Sequence, residues 1–197
     1  MDLQISGKRA LVTGGGKGIG RAIADVLADE GCDLVLVGRD QAALDAASKE
    51  IRGRCQVNVE TISADLSSEA TVRKVAKQAG AIDILGEKHP AGYIAGAAGN
   101  AALIGFTRAL AHGSHPDGIR VLGINPGAIA TERAEMMART RAREQFGDEE
   151  RWPDMYKSAP FGRAGTPAEI ANTVAFFASP LSGYTSGTVL TIDGGRD

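Results

Sequence analysis

The most constraining feature of this sequence is a predicted strand that leads straight into a glycine-rich turn and then into a helix. Residues 8–13 read Lys-Arg-Ala-Leu-Val-Thr, and residues 14–20 read Gly-Gly-Gly-Lys-Gly-Ile-Gly. Beyond the turn, Ile23, Val26 and Leu27 recur at helical spacing. Glycine permits tight turning and close approach to the backbone. The order is therefore typical of a strand–turn–helix unit whose turn brings backbone close to another group.

The alternation of strand and helix continues along the whole chain. Strands that alternate with helices form parallel βαβ units with right-handed crossovers. The sequence therefore predicts an α/β fold, a three-layer doubly wound parallel sheet with helices on both faces, in a single domain over residues 1–197. Further strands are predicted over 33–37, 56–64, 82–85, 119–124 and 188–192, and helices over 41–52, 67–79, 91–112 and 167–178, while 131–146 has a loosely amphipathic pattern.

Composition excludes several functional classes. The net charge of −2 offers no basic field for nucleic acid or for an anionic membrane. Cys32 and Cys55 lack the CxxC spacing of a zinc site and cannot form a disulfide framework. The chain starts without the apolar stretch of a signal peptide and has no run of 18 apolar residues. We expect a cytoplasmic protein without a metal site that binds neither nucleic acid nor membrane.

The glycine-rich turn predicts a site for a pyrophosphate. Open parallel sheets bind ligands at the carboxyl ends of their strands, and the first strand ends at Thr13. Backbone N–H groups of the turn and the positive end of the following helix dipole suit a diphosphate. The spacing is Gly14-x-x-x-Gly18-x-Gly20, and the GxGxxG pattern does not fit in register. The alternative interpretation is a purely structural turn.

Residues after the second strand bear on which dinucleotide is bound. That strand ends Val37-Gly38-Arg39, and Asp40 follows. An acidic residue at this place binds the ribose 2′-hydroxyl of NAD, whereas Arg39 and Lys17 together balance the 2′-phosphate of NADP. NADP is favoured, with NAD as the alternative. Asp40 is then predicted to cap the following helix, and Arg39 as a plain surface charge remains open.

The chain resembles the short-chain dehydrogenase/reductase family, whose single-domain members have a Rossmann-like fold and bind NAD(P). Five stretches carry the resemblance and follow the family order along the whole chain. They are Thr13–Gly20, Asp65-Leu66, Asn125-Pro126-Gly127 with Thr131, Gly162-Arg163 with Thr166-Pro167-Ala168-Glu169, and Ser186-Gly187 through Asp193-Gly194-Gly195.

The resemblance implies a set of cofactor-binding residues. In the family pattern the glycine-rich turn holds the pyrophosphate, the aspartate after the third strand meets the adenine edge, and residues after the Asn-Pro-Gly turn lie along the nicotinamide. For Asp65, a plain position ahead of a helix is an equal alternative from sequence alone. The implied set is Thr13, Gly14, Gly16, Lys17, Gly18, Ile19, Gly20, Arg39, Asp65, Leu66, Pro126, Gly127, Ile129 and Thr131.

One departure from the family concerns length. Between Leu85 and Gly86 there is an apparent gap, because the family follows its fourth strand with an Asn-Asn-Ala-Gly turn, a helix and a fifth strand. At least one helix-plus-strand unit of about 30 residues is missing. Loss of a central strand exposes apolar neighbours and unpaired backbone groups, which favours a unit left out of this sequence. A genuinely shortened six-strand sheet is the alternative.

A second departure concerns catalysis. The family uses a Tyr-x-x-x-Lys pair, and alignment on residues 101–107 places Gly96 and Asn100 at those two positions. Glycine has no proton to exchange with a substrate oxygen, and asparagine carries no charge that lowers a phenol pKa. Tyr93 and His89 are the replacement acids considered, although a packed tyrosine and a solvated histidine are the simpler interpretations. His112 and His115 suit a helix end and need no catalytic role.

Two functions follow from these observations. The first is an NADP-dependent oxidoreductase that transfers hydride between nicotinamide and a carbonyl or secondary alcohol, with residues 131–146 as a lid or as a plain surface helix. The alternative is a catalytically impaired dinucleotide-binding protein, a sensor or inactive subunit on the same fold. The resemblance also implies a homodimer or homotetramer, and the small residues of 91–111 allow close helix packing.

Overall fold

The computed structural model describes the backbone of residues 1–86 and 94–195, and the side chains of residues 1–84 and 103–195. Strands alternate with helices in this part of the chain, which confirms the predicted α/β class. The strands are β1 (Arg9–Thr13), β2 (Asp33–Gly38), β3 (Val59–Ser63), β4 (Ile84–Gly86), β5 (Gly123–Pro126) and β6 (Val189–Ile192). The helices are α1 (Gly18–Asp29), α2 (Gln41–Arg54), α3 (Glu69–Ala79), α4 (Ile94–Ser114), α5 (Glu132–Phe146) and α6 (Pro167–Ala178).

The chain divides into two compact units, Met1–Gly96 with Ala171–Tyr184, and Ala97–Ile170 with Thr185–Asp197. The first unit holds a parallel four-stranded sheet in the order β3-β2-β1-β4. Its two central strands are apolar and almost wholly buried, as both faces of a parallel sheet require. The expected single domain over residues 1–197 stays a prediction.

The second unit holds β5 and β6 as a parallel pair, with Ile124 opposite Leu190. Helix α4 has one stripe of buried residues, Thr107, Ala111 and Ser114, and Thr107 lies against Gly123 of β5. A Cβ at Gly123 would lie 3.5 Å from the Thr107 hydroxyl, so the helix runs close over the strand. The six described strands therefore form a sheet of four and a sheet of two.

Side-chain caps explain where several helices begin. Asp40 accepts a hydrogen bond from the Ala43 amide at the start of α2, which confirms the cap predicted from sequence. Ser68 caps α3 and Thr131 caps α5 in the same way. Each cap satisfies an amide that has no partner inside its own helix.

The structure corrects some boundaries. The strand predicted over 119–124 lies at Gly123–Pro126, since Ile119 instead donates its amide to Ser114 in the turn that follows α4. The helix predicted over 91–112 is described from Ile94 to Ser114. A 3-10 segment at Glu149–Tyr156, with Pro153 inside it, has no counterpart among the elements predicted from the sequence. Cys32 and Cys55 are both free thiols.

Candidate functional site

The glycine-rich turn between β1 and α1 is anchored on the end of β2. The amides of Gly14 and Gly15 both donate to the Val37 carbonyl oxygen, at 2.7 and 3.3 Å. Gly14 and Gly18 have φ values of +67° and +60°, in the left-handed region where a side chain is strained. The turn is thus held in one shape at the carboxyl end of the sheet.

Gly20 is the tightest point of this turn. A Cβ atom at Gly20 would lie 2.3 Å from the carbonyl oxygen of Gly14, far inside van der Waals contact. At the other side, a Cβ at Gly16 would lie 3.2 Å from the Cβ of Ala43, on α2. The turn therefore folds back on the first residues of α1 and forms a cradle of backbone that any side chain at Gly20 would fill.

The amino end of α1 opens into this cradle with a positive partial charge. Lys17 occupies the N-cap position with an extended backbone, and its side chain makes no cap hydrogen bond. The first turn of α1 contains no acidic residue. First-turn amides and the helix dipole attract an anion at such an end. The geometry fits a diphosphate, and binding of that group by Gly14, Gly18, Ile19 and Gly20 stays a prediction.

Charged side chains flank the cradle beside the end of β2. The Lys17 ammonium lies 3.2 Å from Asp40 Oδ2, and both side chains are exposed. Hydrogen bonding from the Ala43 amide, and then from Lys17, lowers the pKa of the Asp40 carboxyl below its usual value. Arg39 precedes Asp40 and is exposed, and its carbonyl oxygen accepts from the Ser63 hydroxyl at 3.3 Å. The sequence did not predict the Lys17–Asp40 ion pair, because no local pattern indicates that these two residues come together.

Asp65 and Leu66 follow β3 at the same edge of the sheet. Asp65 is exposed and its carboxylate accepts from the Ser67 amide at 3.1 Å, which forms a small turn ahead of the Ser68 cap. Leu66 packs against a buried cluster that includes Leu11 and Val75. The carboxylate of Asp65 is thus accessible at the carboxyl end of β3, while Leu66 anchors the same turn to the buried cluster.

In the second unit, the residues implied to lie along nicotinamide follow β5. The Gly127 amide donates to Ile192 at 2.9 Å, and a Cβ at Gly127 would lie 2.6 Å from the Cβ of Asp193. Pro126 pairs with Ile192 in the sheet register. Close packing against the end of β6 therefore requires glycine at position 127.

Ile129 and Thr131 have packing and capping contacts of their own. Ile129 is buried and pairs with Gly165, where a Cβ would lie 2.9 Å from Ile129 Cδ1. The Thr131 hydroxyl accepts from the Ala134 amide at 3.3 Å. These contacts fix the backbone between β5 and α5.

The segment considered as a lid is a regular helix tied to its neighbour. Arg139 on α5 bonds Glu135 and reaches Glu150 at 2.7 Å, and its guanidinium lies 5.6 Å from the Trp152 ring centroid. Arg143 pairs with Glu149. Met136 and Met137 remain exposed on α5. The helix and the 3-10 segment at Glu149–Tyr156 form one electrostatically linked pair.

The positions considered for catalysis lie where side chains are not described. Gly96 and Asn100 lie in the helical backbone of α4, and His89 and Tyr93 lie outside the described residues. His112 is in the last turn of α4, with its ring centroid 6.2 Å from that of His115. Within residues 1–86 and 94–195, no group of three His, Cys, Asp or Glu side chains is arranged to hold a metal ion. No helix in that part of the chain has the length and apolarity needed to cross a membrane.

Comparison with known families gives two adjoining matches. The family described as short chain dehydrogenase matches residues 8–88, and the family described as Enoyl-(Acyl carrier protein) reductase matches residues 82–197. The first match contains the glycine-rich turn, Arg39 and Asp65. The second contains the residues after β5 and the closing strand β6. Together they span nearly all of the chain.

Similar proteins cover the chain end to end. Short-chain reductase protein NovJ from Streptomyces niveus is 30% identical over 248 residues, 95% of this chain and 93% of NovJ. The 3-oxoacyl-(acyl-carrier-protein) reductase FabG of Aquifex aeolicus is 26% identical over 257 residues, 99% of each chain. A structure of L-sorbose reductase from Gluconobacter frateurii complexed with NADPH and L-sorbose has a TM-score of 0.87 at 26% identity, covering 99% of this chain and 98% of that one.

The FabG alignment has 257 positions, 60 more than the 197 residues of this chain. The shared family patterns, the relatives and the common fold lead to one conclusion: the chain belongs to the short-chain dehydrogenase/reductase family.

Proposed function

We propose that this chain binds NADP(H) in the cradle at residues 14–20 and transfers hydride between the nicotinamide and a small-molecule carbonyl or secondary alcohol. The observation that carries the proposal is the close approach at Gly20, where a Cβ atom would lie 2.3 Å from the Gly14 carbonyl oxygen, so only glycine lets the turn fold against the start of α1. Support comes from L-sorbose reductase, a fold neighbour solved with NADPH and its sugar substrate. NAD is the alternative cofactor.

The described residues divide the binding task. The amides that begin α1 hold the pyrophosphate, and the exposed cations Lys17 and Arg39 neutralise the 2′-phosphate. Asp65 accepts from the adenine edge, a role for which its exposed carboxylate is suited. The backbone from Pro126 to Thr131 lies along the nicotinamide. The cofactor supplies the hydride chemistry, and the protein orients it and excludes water.

This chain lacks the family's usual residues for proton transfer to the substrate oxygen. Gly96 and Asn100 stand at the positions where the family carries tyrosine and lysine, and neither donates a proton. This observation favours a second function, a dinucleotide-binding protein with little or no turnover. Both functions use the same cradle, so cofactor binding alone does not separate them.

Cofactor titration and turnover decide between the two functions. We expect calorimetry to detect NADPH binding, and a panel of ketones and ketoses to reveal NADPH oxidation above the no-enzyme rate. Binding without turnover supports the impaired protein, whereas no binding of either NADPH or NADH by the folded chain contradicts both. The matched comparison is the Gly20→Ala variant, which retains the other site residues and is expected to bind NADPH about tenfold or more weakly than the wild type.

Restoring the family residues tests the alignment itself. The double variant with Gly96→Tyr and Asn100→Lys places a phenol and a cation one helical turn apart on α4. If these are the catalytic positions, reductase activity appears or rises while NADPH affinity changes little. Gly96→Phe with Asn100→Met is the control for bulk without acid or charge. Unchanged activity in the Tyr/Lys variant argues against the alignment.

Two features of the whole molecule are proposed on the same basis. An exposed apolar stripe on α4, Phe106 and Leu110, supports a homodimer or homotetramer. The 257 aligned positions of the FabG comparison, against 197 residues in this chain, support the apparent gap between Leu85 and Gly86. The cytoplasmic location stays a prediction.

A further inference from the structure

The turn at residues 193–195 follows β6 and has no task in the proposed function. Because β5 and β6 run parallel, their carboxyl ends lie at one edge, where Pro126 pairs with Ile192. The next residue of each strand continues this contact, since a Cβ atom at Gly127 would lie 2.6 Å from the Asp193 Cβ and 2.8 Å from its Cα. Asp193 is therefore an immediate neighbour of the segment that is proposed to lie along the nicotinamide.

The Asp193 carboxylate is held at the end of β6 by its own turn. Its Oδ1 accepts a hydrogen bond from the Gly195 amide at 2.9 Å, as in an Asx turn. The φ values of Gly194 and Gly195 are +79° and +83°, so the chain bends back directly after the strand. A Cβ atom at Gly194 would lie 2.6 Å from the Pro160 Cβ, so a second turn packs against this one. These contacts fix the place of the carboxylate.

The described part of the chain offers no counter-ion to this carboxylate. No lysine, arginine or histidine among the side chains of residues 1–84 and 103–195 forms an ion pair with Asp193. The residue is half-buried, and a partly buried charge is screened less by salt than an exposed one. Its negative charge therefore acts on a group that binds at the same edge.

The two redox states of nicotinamide differ in charge. The oxidised ring carries one positive charge, which the reduced ring lacks. A carboxylate attracts the oxidised ring by Coulomb forces, which fall only with the inverse of distance and so need no direct contact. The adenosine, the phosphates and the riboses are the same in both states. A fixed carboxylate beside the ring therefore changes the ratio of the two affinities.

We propose that the Asp193 carboxylate stabilises the oxidised nicotinamide ring and thereby raises the affinity of this site for NADP⁺ relative to NADPH. The inference rests on the proposed function, which places residues 126–131 along the nicotinamide. It assigns a role to a side chain that the proposed function does not use. By linkage, a residue that binds the oxidised form more tightly makes the bound cofactor easier to oxidise.

Titration of both redox states against Asp193→Asn tests this role. Asparagine keeps an oxygen that accepts from the Gly195 amide and loses the charge. We expect the Kd of NADP⁺ to rise about threefold to tenfold in calorimetry, while the Kd of NADPH changes by less than about twofold. Asp193→Glu, which keeps the charge, should retain most of the preference for NADP⁺. If the wild type binds NAD(H) instead, NAD⁺ and NADH are compared in the same way.

Two controls separate charge from structure. Adenosine 2′,5′-bisphosphate carries no nicotinamide, so its affinity should be equal in the wild type and in Asp193→Asn. Asp148 accepts from the Glu150 amide at 2.9 Å, the same kind of turn, at the far end of α5 from Thr131. Asp148→Asn therefore makes the same chemical change elsewhere, and all affinities should stay at the wild-type values. Thermal unfolding shows whether each variant is folded.

The possible failures are distinguishable. If the wild type binds both redox states and Asp193→Asn leaves the ratio of their affinities unchanged, the inference is wrong and the cofactor site stands. Equal weakening of NADP⁺, NADPH and adenosine 2′,5′-bisphosphate also overturns it, because that result indicates an altered turn rather than a lost charge. If the folded wild type binds neither NADP(H) nor NAD(H), the proposed function itself is wrong.

Discussion

Individual residues show how little space the glycine-rich turn leaves for side chains. Gly20 faces the carbonyl oxygen of Gly14 at a distance that admits hydrogen alone, and Gly14 itself has a left-handed backbone. A carbonyl at that place cannot yield without moving the turn. Position 20 therefore requires glycine because two segments of backbone are in contact there. The same turn carries the amides that are proposed to hold the diphosphate.

Substitution of Gly20 is the sharpest test at the residue scale. We expect Gly20→Ala to lower the free energy of unfolding by about 1–3 kcal/mol, the cost of overpacking, and to weaken NADPH binding about tenfold or more. Urea unfolding and calorimetry measure the two effects. Gly53→Ala on α2 is the matched control, since nothing lies within 4 Å of its Cβ. Alanine there should stabilise the helix by about 0.5–1 kcal/mol and leave NADPH binding unchanged.

At the scale of single elements, the start of α6 is held by a carboxylate. Glu169 receives two bonds from the Arg163 guanidinium, at 2.7 and 2.9 Å, and one from the Thr166 amide at 2.7 Å. The Thr166 hydroxyl accepts in return from the Glu169 amide at 3.2 Å, the reciprocal arrangement of a capping box. These contacts, Arg163 first, lower the pKa of Glu169 to about 2.

This lowered pKa predicts a pH dependence of stability. The ionised form of Glu169 is favoured in the folded state, so its contribution is complete above the unfolded pKa near 4.5 and is lost as the pH falls toward about 2. Glu169→Gln should flatten the fall in Tm across that window and lower Tm at pH 7. Glu69→Gln on α3 is the control, because its ion pair with Arg73 is highly exposed. If Tm falls equally in Glu169→Gln and in the wild type as the pH is lowered, Glu169 is not the source of the pH dependence.

At the scale of the whole molecule, α4 presents a buried stripe and an exposed stripe. Thr107, Ala111 and Ser114 are buried, while Phe106 and Leu110, about a quarter turn away around the helix, are 59% and 44% exposed. Apolar side chains one turn apart on an exposed helix face are typical of an interface. The stripe is therefore the surface on which the proposed assembly depends.

Charge placed on that stripe tests the assembly. We expect the wild type to run as a dimer or tetramer in light scattering, and Phe106→Asp with Leu110→Asp to run as a smaller species, because a buried carboxylate is costly at an interface. Val72→Asp on α3, at a side chain 45% exposed in the wild type, is the control and should keep the wild-type mass. A monomeric wild type would rule out the interface.

Much of the molecule was readable from local patterns. Apolar periodicity predicted the order of all six described strands, and Gly14, Gly18 and Gly20 predicted the turn that the structure forms. The cap at Asp40 was also predicted, because capping depends on residues within one turn of each other. By contrast, the strand predicted over 119–124 was misplaced toward the chain start, since propensity does not say which residues find a partner strand.

Local sequence was enough for the α/β class, the succession of elements and the position of the glycine-rich turn, because each depends on neighbours within a few residues. The folded chain was needed to show that Lys17 meets Asp40, that Gly16 lies against Ala43, and that the described strands form sheets of four and two. Those contacts join segments far apart in the chain, and chain folding rather than local propensity sets the distances between them.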